Sequence, residues 1–147
     1  MKTKQKKPKY VEWLNADVMH EASRNWLSEL RFIKDEQHFF QNLIKTYTLQ
    51  LIDSEHFSKS KEIVETLNTL QKKNKTYIET VKTHENELII MVDGVNQLKE
   101  EKAYKNKHRK LITDINKYFK TYRTLKKRLF ETIEDIMAHE KQKRLLQ

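Results

Sequence analysis

The sequence predicts an all-α fold, an elongated antiparallel three-helix bundle with very long helices. The 147 residues include one glycine and one proline, the residues that most often form turns, so the strands of a β-sheet could hardly be connected. Charged residues make up 35% and hydrophobic residues 37%, a mixture typical of long helices with one narrow apolar face. Apolar residues also recur at spacings of three and four, which places them on one side of a helix.

The first predicted helix covers about residues 16–53. The apolar residues that mark its buried face are Met19, Trp26, Leu30, Ile33, Phe40, Ile44, Tyr47 and Leu51. Polar residues then interrupt the series, and Asp53 or Ser54 has the side chain that caps the start of a following helix. We therefore expect the first turn at this point.

Two further helices follow at about residues 58–97 and 102–145. The face of the second is marked by Ile63, Leu67, Leu70, Asn74, Tyr77, Val81, Glu85, Leu88 and Val92. The face of the third is marked by His108, Leu111, Ile115, Tyr118, Tyr122, Leu125, Leu129, Ile133 and Ile136. We expect the break between them at residues 94–104, where Gly94 can close a helix in the left-handed conformation. Short connections make neighbouring helices antiparallel.

These helices predict a single helical-bundle domain at residues 11–147, preceded by a basic flexible tail at residues 1–10. Helices of this length exceed the usual helix by several turns. The alternative is therefore a four-helix bundle in which the second helix is broken near Lys72-Lys75. We rank this alternative second, because no proline, glycine or capping cluster marks the break.

The composition also limits the compartment. The chain contains no cysteine, which excludes disulfides, thiol nucleophiles and thiolate metal sites. The basic start of the sequence leads into Tyr10, Val11 and Glu12 instead of an apolar signal core, and no long uncharged run follows. We therefore expect a cytoplasmic protein with no integral membrane segment.

No catalytic motif stands out in the sequence. A single glycine cannot form a glycine-rich loop that cradles phosphates, and no serine lies in the sharp turn of a nucleophile elbow. We expect no catalytic residue, no cofactor and no small-molecule substrate. The sequence predicts that the protein is not an enzyme.

Three polar residues on or beside the apolar faces are the ligands of an alternative hypothesis, in which the bundle holds a metal ion. Glu29, Glu85 and His108 would meet if antiparallel register brings Glu85 level with His108, and such a Glu/His site would support oxygen or redox chemistry. The Glu-x-x-His spacing of ferritin-like di-iron proteins and the His-x-x-x-Glu spacing of hemerythrin-like proteins do not occur. We therefore favour a buried pair of Glu85 and His108 that fixes the helix register.

The net charge of +9 is unevenly distributed. Between Lys102 and Arg128 the chain has eleven lysines or arginines and one acid, Asp114, while the apolar series continues through the segment. The cations must therefore point outward, where a polyanion such as nucleic acid can bind them. The predicted polyanion-binding residues are Arg109, Lys110, Lys117, Lys120, Arg123 and Lys127. The simpler alternative is that some of these cations face the acids of the first helix.

The first helix also has a wider apolar face than one neighbour requires. The residues that widen it are Val18, Phe32, Phe39 and Leu43. A helix that contacts two neighbours needs a broad face, but exposed apolar residues also mark binding surfaces, so these residues are candidates for a homodimer interface. The sequence thus predicts a non-enzymatic, self-associating helical interaction protein. We expect its basic third helix and tail to bind nucleic acid or another acidic macromolecule.

Overall fold

The computed structural model describes residues 15–53, 57–93 and 98–146. These residues form four α-helices and no strand, which confirms the all-α class. The helices are α1 (Ala16–Thr46), α2 (Thr48–Leu51), α3 (Phe57–Asp93) and α4 (Leu98–Leu146). The predicted tail at residues 1–10 lies outside the described residues, and the prediction of a single domain stays a prediction.

The start of α1 follows from its sequence. The Asn15 side chain accepts a hydrogen bond from the backbone N–H of Val18 at 2.9 Å, as an N-cap residue does. Asp17 places a negative charge in the first turn, where it interacts favourably with the partial positive charge of the helix end.

The first long helix ends earlier than predicted. Tyr47 leaves the helical conformation, with φ −107° and ψ 23°, and the single turn of α2 follows it. On either side of Tyr47, the hydroxyls of Thr46 and Thr48 each donate to a backbone carbonyl in the preceding turn, at 3.0 Å. Such bonds bend helices, so two threonines accompany a break that no glycine or proline marks.

The second long helix, α3, is continuous from Phe57 to Asp93, so the alternative break near Lys72-Lys75 does not occur. Helix α4 begins at Leu98, before the predicted start near residue 102. Glu100 and Glu101 lie in its first turn, and Lys143 and Arg144 lie in its last, as the helix dipole favours.

Most buried residues of each long helix follow a seven-residue repeat, with spacings of three and four. In α3 the repeat comprises Ser60, Ile63, Leu67, Leu70, Asn74, Val81, His84 and Leu88, and Ile78 is buried outside it. Several buried positions are polar, and these are Ser23, Gln37, Ser60, Asn74, His84, His108 and Thr132. A polar residue in such a repeat favours one register over others at some cost in stability.

The chain divides into two compact units, each with segments of α1, α3 and α4. The first unit comprises the described residues up to Phe32 and those in Lys75–Lys117. The second comprises the described residues in Ile33–Asn74 and Tyr118–Gln147.

In the first unit, Met19, Leu88 and Tyr104 form a buried apolar cluster that joins α1, α3 and α4. Ala16 and Met91 pack against this cluster. The start of α1 therefore lies beside the end of α3, which is the antiparallel pairing that the sequence predicts.

In the second unit, α3 and α4 are also antiparallel. The Tyr118 hydroxyl donates to the carbonyl of Leu70 at 2.8 Å. Further along α4, Arg128 lies 2.6 Å from Glu62, which precedes Leu70 on α3. None of the described helices combines the length and the apolarity that a membrane-spanning helix requires.

Candidate functional site

A polar and aromatic cluster lies in the core of the first unit. Nε2 of His84 on α3 is 2.9 Å from Nδ1 of His108 on α4, and both residues are buried. Tyr104 stacks on His84 with ring centroids 4.0 Å apart, and its hydroxyl donates to the His84 carbonyl at 2.9 Å. Trp26 of α1 packs against His108 at a centroid distance of 5.0 Å. The cluster therefore joins all three long helices.

Burial controls the protonation of this cluster. It lowers the pKa of both His84 and His108 to about 4, and the charge of His108 further lowers that of His84. Burial also raises the pKa of Tyr104. At neutral pH the two imidazoles are therefore uncharged, and one nitrogen donates a hydrogen bond to the other.

The expected pair of Glu85 and His108 is not formed. Glu85 Oε2 instead lies 2.7 Å from Nδ1 of His20 on α1, and His108 pairs with His84. His84 and Glu85 follow Val81 by three and four residues, which are both helical spacings. The prediction placed Glu85 on the buried face, whereas His84 is the buried residue. The seven-residue repeat of α3 selects His84, because it lies three residues after the buried Val81 and four before the buried Leu88.

The residues of the metal hypothesis do not converge. Glu29 is exposed, Glu85 pairs with His20, and His108 is fully buried against His84. Within residues 15–53, 57–93 and 98–146, no three His, Asp or Glu side chains are close enough to share a metal ion. The geometry gives the metal hypothesis no support.

An open groove of about 540 Å³ lies between α3 and α4 in the first unit. Its lining includes the buried side chains of His84 and Leu111. Both of its lysines lie beside carboxylates, which offset their charge. These ion pairs are Lys107–Glu87 at 3.3 Å and Lys110–Asp114 at 2.7 Å.

The polyanion-binding residues predicted in the first unit differ in their surroundings. Arg109 is half-buried and donates to the side-chain oxygen of Asn106. Asp114 accepts a hydrogen bond from Lys110, which raises the pKa of the lysine and offsets its charge. Lys117 is exposed and makes no ion pair with any described residue. Only part of the predicted set is therefore free to bind an anion in this unit.

In the second unit, Lys120, Arg123 and Lys127 are all exposed. Their spacings of three and four place them on one face of α4, and none is in an ion pair with a described carboxylate. We call this set the cationic face. The prediction that these cations point outward agrees with their exposure.

The cations beside this face are neutralised. Lys126 Nζ lies 2.9 Å from Oε2 of Glu36 on α1, and Arg128 pairs with Glu62 on α3. Tyr122 also donates to Glu36 at 2.7 Å, and its burial and the carboxylate raise the pKa of Tyr122. The acids of the neighbouring helices therefore balance the flanks of α4 and leave the cationic face uncompensated.

The predicted interface residues are mostly exposed. In the first unit, Val18 and Phe32 expose 41% and 61% of their surface. In the second unit, Phe39 exposes 55%, whereas Leu43 is half-buried beside the core. Leu43 is less exposed than the other three because it lies three residues after the buried Phe40, beside the buried face of α1.

Sequence reasoning missed Phe130, which exposes 39% of its surface in the second unit. Its ring packs edge-on against the buried Phe40 at a centroid distance of 5.3 Å. Phe130 follows Lys127 by three residues, so the repeat that relates the cations also includes this ring.

Compared with known proteins, the chain matches no family model, no curated protein and no solved structure.

Proposed function

We propose that this protein is a non-enzymatic helical interaction protein that binds nucleic acid through the cationic face of α4. The observation that carries the proposal is the contrast between Lys120, Arg123 and Lys127, which are exposed and unpaired among the described residues, and the neutralised cations beside them. Uncompensated cations on one helix face attract successive phosphates, and binding releases the counterions that those phosphates hold.

The cationic face suits a backbone partner more than a single small anion. Its residues span about two turns of a rigid helix, so they can contact several phosphates of one strand at the same time. Lysine and arginine contacts of this kind fix the position of a nucleic acid but do not read its bases. The expected binding is therefore sensitive to salt and largely independent of sequence.

Replacing the three cations by glutamine is expected to weaken nucleic-acid binding. In the Lys120→Gln, Arg123→Gln, Lys127→Gln variant, the slope of log affinity against log salt concentration should decrease in magnitude by about 3 for a duplex. Fluorescence anisotropy of a labelled duplex, titrated at several salt concentrations, measures this slope.

The matched control is Lys59→Gln, Lys61→Gln, Lys73→Gln, which removes the same charge from exposed positions of α3. This control should retain most of the wild-type slope. Equal losses in the two variants would mean that net charge alone determines binding. Wild-type protein that binds no nucleic acid at low salt would refute the proposal.

A second proposal is self-association through the outer face of α1. Phe32 supports it, because this large apolar side chain is 61% exposed in the first unit. Large apolar side chains exposed on a helix are typical of helix-mediated interfaces.

Phe32→Glu should convert a dimer into a folded monomer. Light scattering should give twice the chain mass for the wild type and the single chain mass for the variant, with unchanged helical circular dichroism. Ser28→Glu, at a nearby exposed position of α1, controls for the added negative charge. A monomeric wild type would exclude self-association.

A further inference from the structure

Two phenylalanine rings lie at the surface of the second unit above one buried ring. Phe39 of α1 and Phe130 of α4 expose 55% and 39% of their surfaces. Both contact Phe40, which is fully buried, at centroid distances of 5.8 Å and 5.3 Å. Because Phe40 supports each ring from below, the exposed rings are held in place by the core.

Phe130 lies on the side of α4 that carries the uncompensated positive charge. Arg123, Lys127 and Phe130 are related by spacings of four and three, which place them on the same side of α4. The next exposed side chains of α4 include Glu131 and Glu134, which repel phosphates. A bound polyanion would therefore extend from Phe130 toward the cations and not toward the carboxylates.

We infer that the second unit binds single-stranded nucleic acid, with bases stacked on Phe39 and Phe130 and phosphates held by Lys120, Arg123 and Lys127. This inference rests on the proposed function and specifies its ligand. Flat aromatic rings beside a cationic track are the combination by which proteins bind single strands, because every base presents a face to stack on.

The rings discriminate between single strands and duplexes. In a duplex each base is stacked between its neighbours, so its faces are closed to a protein side chain unless the stack is opened at a cost in free energy. The cationic face attracts the phosphates of either form, whereas the rings interact only with unpaired bases. The wild type should therefore bind a single strand more tightly than a duplex at the salt concentration where phosphate contacts contribute little.

The test compares the wild type with Phe39→Leu, Phe130→Leu. Leucine keeps an apolar side chain against Phe40 but removes the flat ring. The probes are a labelled oligothymidylate and a labelled oligouridylate of about 20 nucleotides, and each strand annealed to its complement. The double variant should bind both single strands about tenfold more weakly, with duplex affinity changed by less than about twofold.

Phe57→Leu is the matched control, since Phe57 is also an exposed phenylalanine of the second unit, at 48%. It should leave both affinities unchanged. Circular dichroism verifies that each variant is folded, and light scattering records its mass. A preference for only one of the two single strands would identify DNA or RNA as the ligand.

Several results would overturn the inference. Equal losses for single strands and duplexes, or no loss for single strands, would remove the stacking role while leaving the cationic face intact. A double variant that changes from dimer to monomer would assign the rings to a protein interface. If the wild type binds neither form at low salt, the proposed function itself fails together with the inference.

Discussion

Lowering the pH from 7 to 4 is expected to destabilise the first unit by about 3 kcal/mol for each buried histidine. The pKa of both His84 and His108 is lowered from 6.5 to about 4 in the folded chain, with burial as the main cause. Because the unfolded chain takes up protons near pH 6.5 and the folded chain does not, acid favours unfolding. The stabilising effect is complete above pH 6.5 and is lost as the pH falls to about 4.

The groups that face the pair do not offset this effect. Lys107 of α4 further lowers the pKa of His84 by its positive charge. Tyr104 stacks on His84 without a negative charge, and Trp26 of α1 packs on His108 as a neutral ring. The carboxylate of Glu85 pairs with His20, and no hydrogen bond joins it to either histidine of the pair. An imidazolium in this core would therefore lack the partner that a buried charge requires.

Urea denaturation followed by circular dichroism at several pH values measures the loss. The His84→Leu, His108→Leu variant cannot be protonated at these positions, so its stability should decrease much less between pH 6.5 and 4. His38→Gln removes an exposed histidine of α1 and should retain the wild-type pH dependence. A wild type whose stability is constant over this range would contradict the assigned burial of the pair.

The sequence was sufficient to predict the fold because one physical signal extends through most of the chain. Apolar residues recur at spacings of three and four in each long helix. Leu30, Leu67 and Leu129 belong to these three series, and all three are almost fully buried. With one glycine and one proline, the chain has few alternatives to long helices. The start of α1 at Ala16 was predicted on the same basis.

The break at Tyr47 was beyond sequence reasoning, because the threonine hydrogen bonds that accompany it have no distinctive sequence pattern. Leu51 remains buried after the break, so the apolar series continues although the helix does not. Periodicity reports which residues are buried but not whether the backbone between them is regular.

The candidate site was predicted in part for a similar reason. The exposure of Lys120, Arg123 and Lys127 follows from the apolar face of α4, because the residues between its apolar positions must point outward. The partners of individual charges do not follow from one helix. The pairing of Lys126 with Glu36 joins residues far apart in sequence. The position of Phe130 above Phe40 likewise depends on how α1 and α4 pack in the second unit.

Replacing Phe40 by alanine is expected to cost about 3–5 kcal/mol of unfolding free energy. Phe40 is fully buried, and its ring packs against Tyr122 of α4 as well as against Phe39 and Phe130. Alanine removes this apolar contact and leaves a cavity that a close-packed core fills only in part.

Phe40→Leu is the informative comparison, because it keeps most of the apolar volume and should cost less than half as much as alanine. Urea denaturation at neutral pH measures both variants, with Phe57→Leu as the control for replacing an exposed ring. Urea denaturation and single-strand titration of the same variants together separate the two roles of the aromatic group. Phe40 stabilises the second unit, so its loss should lower stability first and single-strand affinity as a consequence. Replacing Phe39 by leucine should lower the affinity for single strands with little change in stability, because more than half of the surface of Phe39 already contacts solvent.

A cost below about 1 kcal/mol for Phe40→Ala would mean that this ring is not part of the close-packed core and does not support the two exposed rings.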